Sequence, residues 1–172
     1  TLVRAANKDA IADAAAKTDR AFRSGAYAIG AQCQITTMPG YLPALSAEAN
    51  EEVLASAQIA SQSSKKDYEV VKQDTTDHSG GSTDVGDASY LQPVLTFNTG
   101  GKVSGLHSVD FDIVDDELAY VVTAKIFALS AYRLLKNGAE KAKEVVENYH
   151  PIFTKEAYIQ YMDSFISESR DL

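Results

Sequence analysis

The run Gly80-Gly81-Ser82-Thr83-Asp84-Val85-Gly86-Asp87 constrains the fold of this chain more than any other segment. Its glycines predict a tight turn, in which backbone N–H groups can approach a ligand closely. Asp84 and Asp87 follow at a spacing that fits the start of a short helix, where Asp is a favoured cap. The pattern leaves two interpretations open: a capped helix start, which the local residues favour, and the wall of a ligand site.

A second polar motif, Gly105-Leu106-His107-Ser108, lies downstream of an apolar, strand-like run. A loop histidine beside apolar strands is a common way to build a metal site. The other two histidines have simpler explanations: His78 lies in a polar loop, and His150 precedes Pro151 between two predicted helices. His107 is therefore the candidate metal ligand, although the residues alone also allow an ordinary loop histidine.

Composition excludes several classes of protein. Apolar residues make up 45% of the 172 residues, enough for a hydrophobic core, so disorder is not expected. The net charge of -8 argues against a nucleic-acid partner, which needs a basic face. No apolar run is long enough to span a bilayer and no signal peptide is visible, and we expect a cytoplasmic protein without a membrane partner. Whether a signal peptide precedes Thr1 is left open by the sequence. The single cysteine, Cys33, excludes an internal disulfide and is expected to be a buried structural thiol.

The first forty residues predict a strand, a helix and a second strand. Thr1–Ala5 has the pattern of a strand end and lacks an initiator Met, from which we expect a longer protein with further sequence upstream. A helix is predicted from an Asn7 cap to about Ser24, where Gly25 should stop it, and a strand over 28–37. The Pro39–Pro43 segment then breaks the pattern and predicts a domain boundary, giving domains 1–40 and 41–172.

The remainder alternates helices with short strands. Acidic residues at Asp115-Asp116-Glu117 favour a helix N-terminus, and apolar residues at helical spacing continue to about Lys136, where Asn137-Gly138 should end the helix. The other predicted elements are a helix from Ser46 or Glu48 to about Ser61, strands over 68–71, 93–97 and 110–113, a short helix after the Gly-rich turn, and helices over 139–148 and 154–168.

Together, the Gly80–Asp84 turn, the strand over 93–97, Leu106-His107-Ser108 and the long helix resemble the C-terminal part of the aminoacylase/carboxypeptidase family of co-catalytic zinc hydrolases. Gly-Ser-Thr-Asp-Val-Gly-Asp is similar to the amidohydrolase subgroup that includes p-aminobenzoyl-glutamate hydrolase and the aminoacylase-like dipeptidases. The segment from Val3 to the strand after Ala28 resembles the second half of that family's inserted lid domain. The resemblance extends to about Asn148.

This resemblance implies a fold and a site. The fold class would be α/β: the C-terminal part of a three-layer α/β zinc-peptidase catalytic domain over 41–172, preceded by half of an α+β lid (dimerisation) domain over 1–40. His107 would be the last zinc ligand of a site that holds two divalent metal ions. Gly81, Ser82 and Thr83 would face the substrate, and Asp84 would orient groups beside them.

The implied reaction is hydrolysis of the amide bond of an N-acyl amino acid or dipeptide, by a homodimer formed through the lid. The family's His-x-Asp and Glu-Glu motifs, which supply the other ligands and the general base, are expected upstream of Thr1, so the chain alone should be inactive. The pair Glu51-Glu52 follows the lid segment and does not lie at that place in the sequence. The hinge Gly40–Pro43 also lacks the Arg with which carboxypeptidase-type members hold a substrate carboxylate. The alternative is a non-catalytic binding or scaffold module.

Overall fold

The structure, a computed structural model, describes residues 1–45, 50–72, 81–103 and 105–170. It is a mixed fold, about half helical, with small two-stranded antiparallel sheets. A three-layer α/β sheet is not present among the described residues. His78, Gly80 and the predicted helix start at Ser46 or Glu48 lie outside them.

Helices dominate the element order. One of them, a π-helix at Glu117–Val122, continues without a break into the next helix, α4. The elements are α1 (Lys8–Ala28), β1 (Gln34–Thr37), α2 (Glu51–Gln62), α3 (Asp84–Ala88), β2 (Lys102–Val103), β3 (Asp112–Ile113), the π-helix (Glu117–Val122), α4 (Thr123–Glu147), α5 (Lys155–Asp163) and β4 (Ser167–Arg170).

The described residues divide into two compact units, each assembled from separate stretches of the chain. The first unit takes 1–45, 81–94 and 150–170; the second takes 50–72, 95–103 and 105–149. The domain boundary predicted after residue 40 stays a prediction. The Gly-rich turn and His107 fall in different units, so each is described within its own unit.

In the first unit, α1 begins as predicted and ends later than predicted. The Asn7 side chain accepts a hydrogen bond from the Ala10 N–H at 2.9 Å, which caps the helix. The predicted stop at Gly25 was wrong, because a glycine in a helix interior costs only about 1 kcal/mol and the helix continues to Ala28. The chain leaves the helix at Gly30, whose φ of +70° is the left-handed conformation that glycine favours.

The strand after α1 pairs with the C-terminal segment. Only Gln34–Thr37 of the predicted strand forms, and it pairs antiparallel with β4 so that Thr37 lies opposite Ser167. Residues 1–5 form no strand, so the strand predicted there was wrong. The predicted final helix is also shorter, since α5 ends at Asp163 and leaves the following residues to form β4.

Aromatic rings form the core of the first unit. Tyr90, which is 2% exposed, stacks on Phe153 with ring centroids 5.8 Å apart. Phe153 stacks on Tyr161 of α5 at 5.1 Å, and Tyr161 contacts Phe165 edge to face at 5.1 Å. The Tyr90 carbonyl also accepts the N–H groups of Ile152 and Phe153. These contacts fix α3 and the residues after it against α5.

A backbone contact of α3 needs a glycine. A Cβ placed on Gly86 would collide with the carbonyl oxygen of Leu42 and lie 3.0 Å from its carbonyl carbon. Gly86 is buried and Leu42 is 4% exposed, so neither chain segment can shift without opening this packing. Gly86, the third glycine of the motif Gly80–Asp87, is therefore required by packing against residues 41–45.

In the second unit, α2 packs on the start of α4. Ala60, Val122 and Ile126 form its buried cluster, and the small Ala60 side chain lets the two helices approach closely. Half-buried apolar residues surround this cluster: Ala57, Tyr68, Phe97, Leu118 and Leu129. An ion pair of 2.7 Å between Arg133 and Glu52 adds a polar contact between the same helices.

Two predicted strands of this region do not form. Residues 68–71 and 93–97 have no regular secondary structure. Phe97 instead contributes its side chain, with its ring edge-to-face against Phe127 at 4.7 Å between centroids. The apolar residues of these segments are at most half-buried, and without a neighbouring strand the backbone has no ladder to join.

The long helix breaks where the sequence predicts. Asn137, Gly138 and Ala139 have positive φ, which interrupts the helical backbone within α4. Before this break, α4 and the π-helix expose one apolar face, made up of Tyr120, Val121, Phe127, Tyr132 and Leu135.

By length and composition alone, the helical segment Glu117–Glu147 could cross a membrane. The prediction that no apolar segment is long enough was therefore wrong. Its most apolar window has a mean hydropathy of 1.4, and 17% of that window is buried. The core helices of many proteins meet the same criteria of length and composition, so these criteria do not assign this helix to a membrane. The absence of a membrane partner stays a prediction.

Replacing Gly86 by Ala should lower the free energy of unfolding by at least about 2 kcal/mol, because the added methyl group meets backbone that cannot rotate away. The matched control is Gly25→Ala in α1, where nothing lies within 4 Å of the added Cβ. That substitution should raise the free energy of unfolding by about 0.5–1 kcal/mol. Urea denaturation of both variants checks this pair; equal effects would contradict the close packing at Gly86.

Candidate functional site

His107 lies at the tip of a short hairpin in the second unit. Strands β2 and β3 pair antiparallel, with Lys102 opposite Ile113 and Val103 opposite Asp112. The base is closed at Gly101, whose carbonyl accepts the N–H groups of Val114 at 2.9 Å and Asp115 at 3.2 Å. The hairpin is thus fastened to the start of the long helix, and its loop projects His107 away from the strands.

The backbone of His107 adopts a left-handed conformation, which is uncommon for residues other than glycine. The Ser108 N–H donates to the Gly105 carbonyl at 3.3 Å, which closes a β-turn with Leu106 and His107 at its centre. His107 has a φ of +67°, whereas Leu106 does not have a positive φ. This is the pattern of a type II turn, which normally places Gly or Asn at the position of His107. A histidine therefore occupies a position where local geometry favours glycine.

The hairpin tip also exposes apolar side chains next to His107. His107 itself is exposed, Leu106 is 65% exposed and Val109 is fully exposed. The Phe111 N–H donates to the Ser108 carbonyl and closes a second turn, and the Phe111 side chain is 39% exposed. An exposed imidazole within an apolar rim is accessible to a ligand or to another protein surface.

The described residues by themselves do not complete a metal site. A catalytic zinc is usually held by about three protein ligands and one open position. Among residues 1–45, 50–72, 81–103 and 105–170, no group of three or more His, Cys, Asp or Glu side chains is placed to hold a metal ion. His107 could supply one ligand, and any others would come from outside this set. Cys33, predicted to be buried, is only half-buried.

In the first unit, the Gly-rich turn leads directly into α3. Thr83 is the N-cap of that helix, and its hydroxyl accepts the Val85 N–H at 3.2 Å. Asp84 is exposed, and the structure gives its carboxylate no hydrogen bond or ion pair with another described residue. Ser82 is half-buried, and Gly81 is exposed. Thr83 therefore caps the helix, which leaves the Asp84 carboxylate accessible.

The sequence alone suggested that Asp87 caps the start of α3, but in the structure its carboxylate binds a distant segment. Its carboxylate accepts the N–H of Leu42 at 2.9 Å, across 45 residues of sequence. Ser89 makes a parallel contact, since its hydroxyl oxygen accepts the Leu45 N–H at 3.1 Å and donates to the Gly86 carbonyl at 2.6 Å. The sequence pattern missed this role because its signal is a contact between distant segments.

The environment of Asp87 includes a tyrosine of α5. Burial, together with the negative charge of Asp87 and a hydrogen bond to it, raises the pKa of the Tyr158 hydroxyl above its ordinary value. Burial in the same aromatic core also raises the pKa of Tyr90. Both hydroxyls stay protonated near neutral pH, so Tyr158 can donate to Asp87 throughout that range.

A second carboxylate, Asp115, organises the base of the His107 hairpin. It accepts hydrogen bonds from Lys66 at 2.6 Å, from the Tyr68 hydroxyl at 3.0 Å and from the Leu118 N–H at 3.2 Å. The Lys66 hydrogen bond, followed by the Leu118 N–H, lowers the pKa of Asp115. This confirms the predicted role of the acidic run at a helix start, since Asp115 caps the N–H of Leu118.

An open cavity of about 270 Å³ lies elsewhere in the second unit. It lies between the start of α2 and the end of α4 and contains none of the predicted site residues. Its lining residues are Asn50, Glu51, Glu52, Lys141, Glu144, Val145 and Asn148. Because three carboxylates line it, the cavity is unsuited to an anionic substrate.

Comparisons with protein-family models, with curated proteins and with solved structures found no match to this chain. The case for a function therefore rests on the residues and their geometry. Of the predicted site residues, the structure keeps Gly81, Ser82, Thr83 and Asp84 together at one helix start, and it places His107 at a hairpin tip in the other unit.

The conformation of His107 predicts how substitutions there affect stability. His107→Gly should not lower the free energy of unfolding, because glycine adopts a φ of +67° without steric cost. His107→Val should lower it by about 1 kcal/mol, since a β-branched residue is disfavoured in the left-handed region. Thermal unfolding of the two variants measures the difference. A large loss in His107→Gly would instead show that the imidazole stabilises the fold.

Proposed function

We propose that this chain is the C-terminal segment of a metal-dependent amidohydrolase that cleaves the amide bond of N-acyl amino acids or dipeptides. One observation carries the proposal: an exposed histidine occupies a turn position that favours glycine, at the tip of an anchored hairpin. Because a residue that the fold disfavours is a sign of a functional requirement, the imidazole is the candidate ligand.

The hairpin gives His107 what a metal ligand needs. Its base is fixed by the Gly101 hydrogen bonds to Val114 and Asp115, while its tip stays accessible. An anchored loop places the imidazole reproducibly, and the exposed surface leaves room for the ligands that this chain does not contain. The family resemblance assigns those ligands and the general base to motifs upstream, so we expect the 172-residue chain alone to be inactive.

The Gly-rich turn is the proposed substrate-facing wall. Thr83 caps α3, and it is followed by the exposed Asp84 carboxylate, which has no partner among the residues that the structure describes. Gly81, which is exposed, and Ser82, which is half-buried, directly precede these residues in the chain. We propose that Gly81, Ser82 and Thr83 contact the substrate and that Asp84 orients groups beside it.

The same proposal includes the fold of the complete enzyme. Residues 1–40 would form half of an α+β lid that dimerises, and residues 41–172 the C-terminal part of a three-layer α/β catalytic domain in a cytoplasmic enzyme with two zinc ions. The exposed apolar face of α4, which includes Phe127, Tyr132 and Leu135, supports this proposal. A helix with apolar residues on its outer face is typical of the middle of a layered domain.

A non-catalytic binding or scaffold module is the second candidate. It is favoured by the lack of a three-ligand cluster among the described residues. In that case His107, Leu106 and Val109 would form part of a protein-binding tip, and no metal would be required. The two candidates differ in whether His107 affects metal content.

The test compares His107→Ala with His150→Ala in a polypeptide that carries this chain with its upstream His-x-Asp and Glu-Glu motifs. His107→Ala should lower zinc content and reduce kcat/KM at least about 100-fold on an N-acyl amino acid or dipeptide, the upper end of losses from one group near a metal. His150, an exposed histidine outside the proposed site, is the matched control and should change neither.

Two further results decide between the candidates. Upstream sequence without these motifs, or unchanged zinc and turnover in His107→Ala, would favour the binding module.

The missing Arg at the hinge adds a substrate test: amidating the substrate carboxylate should cost only a modest factor in kcat/KM.

A further inference from the structure

We infer that Asp87 is a positioning residue that fastens residues 41–45 to helix α3 and thereby fixes the Gly81–Asp84 turn. The inference deepens the proposed function, because its catalytic consequence requires that this turn face the substrate. Its structural part concerns contacts within the first unit and stands independently of any activity. We call the set of contacts between residues 41–45 and α3 the α3 latch.

The α3 latch consists of two parallel hydrogen bonds. The Leu42 N–H donates to Asp87 Oδ1 at 2.9 Å, and the Leu45 N–H donates to Ser89 Oγ at 3.1 Å. Both donors are backbone groups of residues 41–45, and both acceptors are side chains of α3 or its C-cap. Hydrogen bonds to a carboxylate are stronger than those between neutral groups, so Asp87 is the stronger of the two attachments.

Steric contact holds the two segments at one separation. Leu42 is 4% exposed, and its carbonyl lies against Gly86, which has no room for a Cβ. Ser89, which is 6% exposed, bridges the latch internally by donating to the Gly86 carbonyl. Residues 41–45 therefore cannot slide along α3 without breaking both hydrogen bonds and opening buried packing.

The latch acts directly on the proposed substrate-facing turn. The Thr83 cap, Asp84 and Asp87 belong to one short helical turn, in which the Gly86 N–H donates to the Thr83 carbonyl at 2.9 Å. A displacement of residues 41–45 is therefore passed to Thr83 and Asp84 through α3. Because the family resemblance implies a hinge at Gly40–Pro43, the latch would link that hinge to the turn.

Asp84 and Asp87 consequently have different roles despite their similar context. The structure gives Asp84 no partner among the described residues, whereas Asp87 accepts a tertiary hydrogen bond and lies beside Tyr158. Asp84 would act on the substrate, and Asp87 would act through the backbone that carries Asp84. A conservative Asp87→Asn variant keeps an acceptor for the Leu42 N–H and should preserve the latch.

The test is hydrogen exchange of the Leu42 and Leu45 amides, measured by NMR on the wild type and on Asp87→Ala, Asp87→Asn and Asp84→Ala. In the wild type both amides should exchange at least about 10-fold more slowly than unstructured amides. Asp87→Ala should accelerate Leu42 exchange by about 10-fold or more, whereas Asp87→Asn and Asp84→Ala should leave it within about 3-fold of the wild type.

Unprotected Leu42 in the wild type, or unchanged Leu42 exchange in a folded Asp87→Ala, would overturn the latch. The wild-type measurement stays decisive if Asp87→Ala does not fold. In the longer polypeptide, Asp87→Ala should reduce kcat with unchanged zinc content, and Asp87→Asn should restore it. Loss of zinc, or equal kcat in Asp87→Ala and the wild type, would overturn the positioning role. Intact exchange results with no hydrolase activity in any variant would uphold the latch and refute the proposed function alone.

Discussion

The close approach of Gly86 to the Leu42 carbonyl is the constraint on which the first unit depends. It places a five-residue helix, too short to be stable alone, against a buried backbone segment, where Asp87 and Ser89 can accept two N–H groups. The same helix carries the Thr83 cap and the exposed Asp84. Residues Thr83–Asp87 are thereby held in one conformation, as their proposed place beside a substrate requires.

In the second unit, backbone hydrogen bonds and a charged residue, Asp115, support the hairpin that carries His107. The hairpin that carries His107 has strands of only two residues, which would be marginal in water without further support. Its base is fixed by the Gly101 carbonyl, and Asp115 holds the neighbouring helix start through Lys66 and Leu118. Rigid support below an exposed tip lets His107 keep a disfavoured backbone conformation without loss of the fold.

Some local signals in the sequence predicted the structure correctly, others, such as the helix stop at Gly25, did not, and no long-range partner was predicted. The Asn7 cap and the break at Asn137 follow from the chemistry of one or two residues, and the structure confirms both. The pairing of β1 with β4 and the bond from Asp87 to Leu42 join distant segments, which periodicity cannot identify. The sequence likewise identified the Gly-rich turn and His107 as candidates, but it could not show that they fall in separate units.

The proposed function requires that His107 bind a metal ion, and cobalt substitution measures this at the metal itself. Cobalt(II) would replace zinc in the longer polypeptide, and its visible absorption would report the ligands around the metal. If His107 is a ligand, His107→Gln should change the positions and intensity of the absorption bands, whereas His150→Gln should give the same spectrum as the wild type. Identical spectra and cobalt content in all three proteins would contradict the claim.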